Sequence, residues 1–78
     1  MNATLRNFAI SRILMGLAIL SNRQRDVFRL MYGRKNGNRS VEQCLATPME
    51  IVANEIPDDK LDWALTQIED TTASNAKK

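Results

Sequence analysis

Three Ser/Thr-x-x-Gln/Glu boxes, each set just before an apolar run, constrain this chain more than any other feature: Ser21-Asn22-Arg23-Gln24, Ser40-Val41-Glu42-Gln43 and Thr47-Pro48-Met49-Glu50. In such a box the hydroxyl accepts a bond from an orphan amide of the first helical turn, and the Gln or Glu side chain reaches back to the cap residue's own amide. Each box therefore opens a helix. The third is reinforced by Pro48, whose fixed φ suits the first helical position. The first helix should end at Gly33, a natural C-terminal cap, leaving Arg34-Lys35-Asn36-Gly37-Asn38-Arg39 as a basic loop. The other two are short, over roughly residues 41–46 and 48–55.

Two longer periodic segments flank these. Residues 4–20 carry Leu5, Phe8, Ala9, Ile13, Gly16, Leu17 and Leu20 at helical spacing, with Ile10, Leu14, Met15 and Ile19 on the other sides. A helix that is apolar all round is either central to the fold or partly covered by a second chain. After the break at Ile56-Pro57-Asp58-Asp59, Leu61, Ala64, Leu65 and Ile68 repeat at i, i+3, i+4, i+7 and mark a last helix. On the helix opened by Ser21, the expected buried stripe is Val27, Leu30 and Met31, with Phe28 and Tyr32 at its edge and Arg25 and Arg29 in solvent. No strand pattern competes. The expected fold is all-α: a compact bundle of four to five helices, two very short, forming a single domain over residues 1–70, with residues 71–78 as a disordered tail.

With 78 residues, one cysteine and no histidine, an internal disulfide is impossible and the commonest metal ligand and proton shuttle are missing. Packing or self-association must then hold the fold. No catalysis, metal or cofactor is expected, because nucleophile–base pairs, phosphate-binding glycine loops and cysteine–histidine clusters are all missing from the sequence. Cys44 reads as a small core residue, and a lone thiol fits the reducing cytoplasm. The apolar run Ile13 to Leu20 is too short to span a bilayer and lacks a cleavage site after it, so neither membrane insertion nor a signal peptide is expected.

Charge is unevenly distributed. Residues 1–39 hold eight basic side chains against one acid, a net of +7, and residues 40–78 hold three lysines against eight acids, a net of −5. Arg25, Arg29, Arg34, Lys35 and Arg39 cluster in sequence, and three readings fit them: ion pairing with the chain's own acidic half, a phosphate-binding patch for nucleic acid, or docking on an acidic protein surface. Trp63 lies off the Leu61 stripe in the company of Asp59 and Asp62. Either the N-terminal segment or the tail covers it, or it is an aromatic anchor ringed by acids for a basic partner.

Leu20-Ser21-Asn22-Arg23-Gln24-Arg25-Asp26-Val27-Phe28-Arg29-Leu30-Met31-Tyr32 resembles the opening helix of the promoter-reading helix-turn-helix domain of bacterial sigma factors. The resemblance implies a first motif helix over Ser40 to Ala46 and a reading helix over Pro48 to Glu55, although Glu50 and Glu55 would repel phosphates. In type the chain is also similar to small phage-encoded host-takeover proteins. Together these imply a non-catalytic regulatory or inhibitory protein that binds a host complex such as bacterial RNA polymerase. The alternatives are a nucleic-acid-binding helix-turn-helix regulator and a homodimeric subunit joined through the Leu5–Leu20 helix.

Overall fold

The computed structural model describes residues 2–37 and 39–76. Five α-helices follow one another: α1 (Ala3–Ala18), α2 (Asn22–Asn36), α3 (Val41–Ala46), α4 (Met49–Glu55) and α5 (Leu61–Ala76), the last entered through a 3-10 turn at Asp58–Lys60. There is no strand among the described residues. The all-α class and the two very short helices are as expected. Asn2 caps α1 by accepting from the Leu5 amide at 2.8 Å. Ser21 and Ser40 each form the full reciprocal box, with Gln24 and Gln43 respectively. α1 packs on α4 and α5, and α2 packs on α3 and α5. The core between them is built from Ile13 and Leu17 of α1, Phe28 and Tyr32 of α2, Val52 and Ala53 of α4, Ile56, and Leu61, Ala64 and Ile68 of α5.

Four expectations are corrected. The buried face of α2 is Phe28, Tyr32 and Gly33, while Val27 is 48% exposed and Leu30 and Met31 are half-buried. The two faces offer similar numbers of apolar residues, but aromatic rings remove far more surface from water than Val, Leu or Met. The helix therefore turns its rings inward, and Arg25 and Arg29, which share that face, become half-buried instead of pointing to solvent.

Gly33 is not a cap. α2 runs through it to Asn36 and ends at Gly37, whose φ of 155° suits a residue without a Cβ. Gly33 instead lets α3 approach closely: a Cβ there would sit 2.2 Å from Cys44 Sγ. Cys44 is buried, as expected.

The third box does not form. Pro48 occupies the N-cap of α4 with no side-chain cap bond, and the Thr47 hydroxyl donates to the Gln43 carbonyl at 2.8 Å, satisfying an orphan acceptor of α3. Finally, α5 does not stop at Asp70 but continues to Ala76. In that extension the Thr71 and Thr72 hydroxyls donate back to the Gln67 and Ile68 carbonyls, and both side chains are half-buried. Lys77 and Lys78, the end of the expected tail, lie outside the described residues.

α1 settles into the fold with Ala9, Ile10, Ile13, Leu17 and Leu20 inward. Leu5 and Phe8 are 57% and 64% exposed, and Met15 and Ile19 are 71% and 68% exposed.

Candidate functional site

The five basic residues singled out by the sequence differ in their surroundings. Arg29 pairs with Asp26 one turn earlier at 2.9 Å. Arg39 pairs with Glu55, whose carboxylate pushes the guanidinium pKa up through a hydrogen bond and its charge. Lys35 places its ammonium 5.3 Å over the Trp63 ring. Arg25 is half-buried, and its Nε, like that of Arg29, is buried without a hydrogen-bond partner. Arg34 and Lys35 are exposed and without an ion pair among the described residues, and of the two only Lys35 rests on an aromatic ring.

Trp63 is half-buried and packs against α2. Its ring stacks on Phe28 at 6.0 Å between centroids and 25° between planes. Beside it, Lys60 Nζ donates to Asn36 Oδ1 at 2.7 Å and to the Lys35 carbonyl at 3.3 Å, closing the C-terminal end of α2. The Asn36 amide in turn donates to the Tyr32 hydroxyl at 2.7 Å. Burial raises the Tyr32 pKa, with the negative charge of Glu55 adding to the effect. Asp59 and Asp62 are exposed beside Trp63. The expected acidic and aromatic face thus adjoins the end of the basic helix within one molecule.

The two halves of the chain meet elsewhere as well. Among the described residues, Arg6–Asp58 at 2.7 Å, Arg12–Glu69 at 2.9 Å and Arg39–Glu55 each join the basic half to the acidic half. Intramolecular pairing therefore accounts for part of the charge asymmetry. The exposed residues of α4 are Glu50, Ile51, Asn54 and Glu55, with no cation for a phosphate.

What sequence reasoning missed is a groove between α2 and α5. Its volume is about 390 Å³. Leu20, Phe28, Met31 and Ile68 supply apolar surface, and Arg23, Ser21, Gln67 and Thr71 supply polar groups. Arg23 is exposed and makes no ion pair among the described residues. Along the outer side of α2, Arg23, Val27, Leu30 and Arg34 follow one another at helical spacing. The signal for this face was the Val27, Leu30, Met31 stripe, legible in the sequence but assigned to the core. No group of His, Cys, Asp or Glu able to hold a metal occurs among the described residues, and no helix there is long and apolar enough to cross a membrane. Comparison with known protein families, curated proteins and solved structures gives no match.

Proposed function

We propose that this chain is a small, non-catalytic binding protein that docks an acidic, apolar-anchored segment of a protein partner along the outer face of α2. The groove between α2 and α5 carries the reading. It is an open concavity lined by both apolar and polar side chains, and it holds Arg23, an exposed cation without an ion pair among the described residues. Apolar anchors would enter the groove, while Arg23 and Arg34, about three helical turns apart, would select acids at the two ends of the segment. A stripe of that length suits a helix or strand of a partner better than a small molecule, which would use the groove alone. The sigma-factor resemblance of residues 20–32 covers this same face of α2 and favours a bacterial transcription complex as the partner. The buried, unpaired thiol of Cys44 suits a cytoplasmic setting.

Affinity capture from a bacterial lysate, run with the tagged chain before and after nuclease treatment, tests the reading. Arg23 and Val27 are exposed, so Arg23→Glu with Val27→Asp should leave helicity intact and abolish capture of a nuclease-resistant protein. Capture that disappears with nuclease and falls steeply with salt would instead assign the arginines to phosphate contacts. Capture unchanged in the double variant would remove the groove from the account.

A further inference from the structure

We propose that the exposed face of α1 is a self-complementary interface on which a second copy of this chain docks. Along one side of α1 and at its C-cap, Leu5, Phe8, Arg12, Met15 and Ile19 are left outside. Their spacing alternates three and four residues, the repeat with which one helix presents a continuous seam to another. Four of the five are large and apolar, between 57% and 71% exposed, so the seam is a connected stripe and not a scatter of single residues.

The occupant is identified by charge and by area. α1 contains only two charged residues, Arg6 and Arg12. Arg6 turns inward to Asp58 and the carbonyls of Asn54 and Ile56. The seam's one charge, Arg12, is already matched by Glu69 of α5 at 2.9 Å. Beside the seam, Thr4, Asn7, Ser11 and Ala18 are exposed and uncharged. A strongly acidic or basic partner finds no uncompensated charge here, whereas a surface with a neutral apolar stripe and one balanced ion pair matches itself. At roughly 100–150 Å² for each large side chain, the four apolar residues bury on the order of 500 Å² per chain, about 1,000 Å² in total, near the lower bound for a specific interface.

A two-fold axis crossing α1 at Arg12 sets Leu5 against Ile19 of the second copy and Phe8 against its Met15. The shallow groove between α1 and α5, lined by Gly16, Ile19, Leu65, Ile68 and Thr72, continues the seam and gives the incoming aromatic ring somewhere to seat.

Sedimentation of the full chain across a range from low micromolar to submillimolar concentration tests this. The expected result is a reversible two-chain species that Phe8→Glu with Met15→Glu abolishes at unchanged helicity. Both residues are exposed in the single chain, so loss of folding is not the expected effect. A single-chain mass at every concentration overturns the proposal, as does a dimer indifferent to the double variant. As a check on orientation, chains carrying Phe8→Cys and Met15→Cys are mixed under mild oxidation. The two-fold predicts mixed disulfides in excess over either self-pair, and self-pairs in excess overturn it. The α2 groove is untouched by these changes, so failure here is distinguishable from failure of the binding reading above.

Discussion

Gly16 and Gly33 meet the same steric demand with different neighbours. A Cβ on Gly16 would lie 2.2 Å from Ile68 Cγ2, and one on Gly33 would lie 2.2 Å from Cys44 Sγ. Ile68 is β-branched and stiff at χ1, whereas the thiol of Cys44 can swing to another rotamer. Alanine gains about 1 kcal/mol of helix propensity at either site. Gly16→Ala should nonetheless destabilise by about 1–2 kcal/mol, through overpacking of the α1–α5 contact, and Gly33→Ala should cost clearly less. Urea midpoints of the two variants give the comparison, and equal losses would refute it. Tyr32 adds a pH dependence at this scale. Its folded pKa lies above the unfolded value, so the folded state holds the phenolic proton more tightly. The stability this contributes is complete below the unfolded pKa of about 10 and is lost as pH rises from there through the folded pKa. Tyr32→Phe should lower stability at neutral pH by about 1 kcal/mol, from the lost Asn36 bond, and should flatten the fall above pH ~10. Parallel denaturation series of the two proteins across that range test it.

At the scale of the element, legibility followed how local the chemistry is. The boxes at Ser21 and Ser40 are complete within four residues, and both form as the sequence implied. Thr47 carries the same pattern, but only Pro48 separates it from the next helix, and its hydroxyl serves the end of α3 instead of the start of α4. The rotation of α2 was not legible, because Val27, Leu30 and Met31 form as regular a stripe as Phe28 and Tyr32. Only the neighbours α3 and α5 decide between them. That choice hid the candidate site: the face assigned to the core is the one left outside, and the arginines assigned to solvent are partly inside. The seam of α1 was half legible, since an all-round apolar helix announces surplus surface without saying which side stays uncovered. A test separates the two kinds of cap. Ser40→Ala should cost about 1 kcal/mol by stripping the N-terminus of α3 of its acceptor. Thr47→Ala, which removes a hydroxyl donor from an exposed bond, should cost less than half of that. Thermal denaturation followed by helical signal distinguishes them.

At the scale of the whole molecule, the charge asymmetry between the two halves folds back on itself through contacts of unequal weight. Arg12 and Glu69 are both more than half exposed, and such pairs contribute about 0–1 kcal/mol and weaken in salt. Arg6 differs in kind. Its side chain is 27% exposed, and Nη1 bonds both Asp58 and the Ile56 carbonyl while Nη2 bonds the Asn54 carbonyl. One guanidinium thus satisfies acceptors left by the end of α4 and anchors the entry to α5 against α1. Removing it leaves the part-buried bond to the Ile56 carbonyl unmade and frees the end of α4 from α1. Arg6→Ala should therefore destabilise by about 2–3 kcal/mol, and most of that loss should persist in high salt because it is hydrogen bonding to fixed backbone dipoles. Arg12→Ala should cost under about 1 kcal/mol, and salt should erase the difference from the parent chain. Denaturant titrations at low and high ionic strength, run at dilute protein to keep self-association out of the comparison, measure both. If Arg6→Ala proves as mild and as salt-sensitive as Arg12→Ala, surface charge alone joins the halves, and the α4 to α5 connection is held by burial of Ile56 and Leu61 without help from α1.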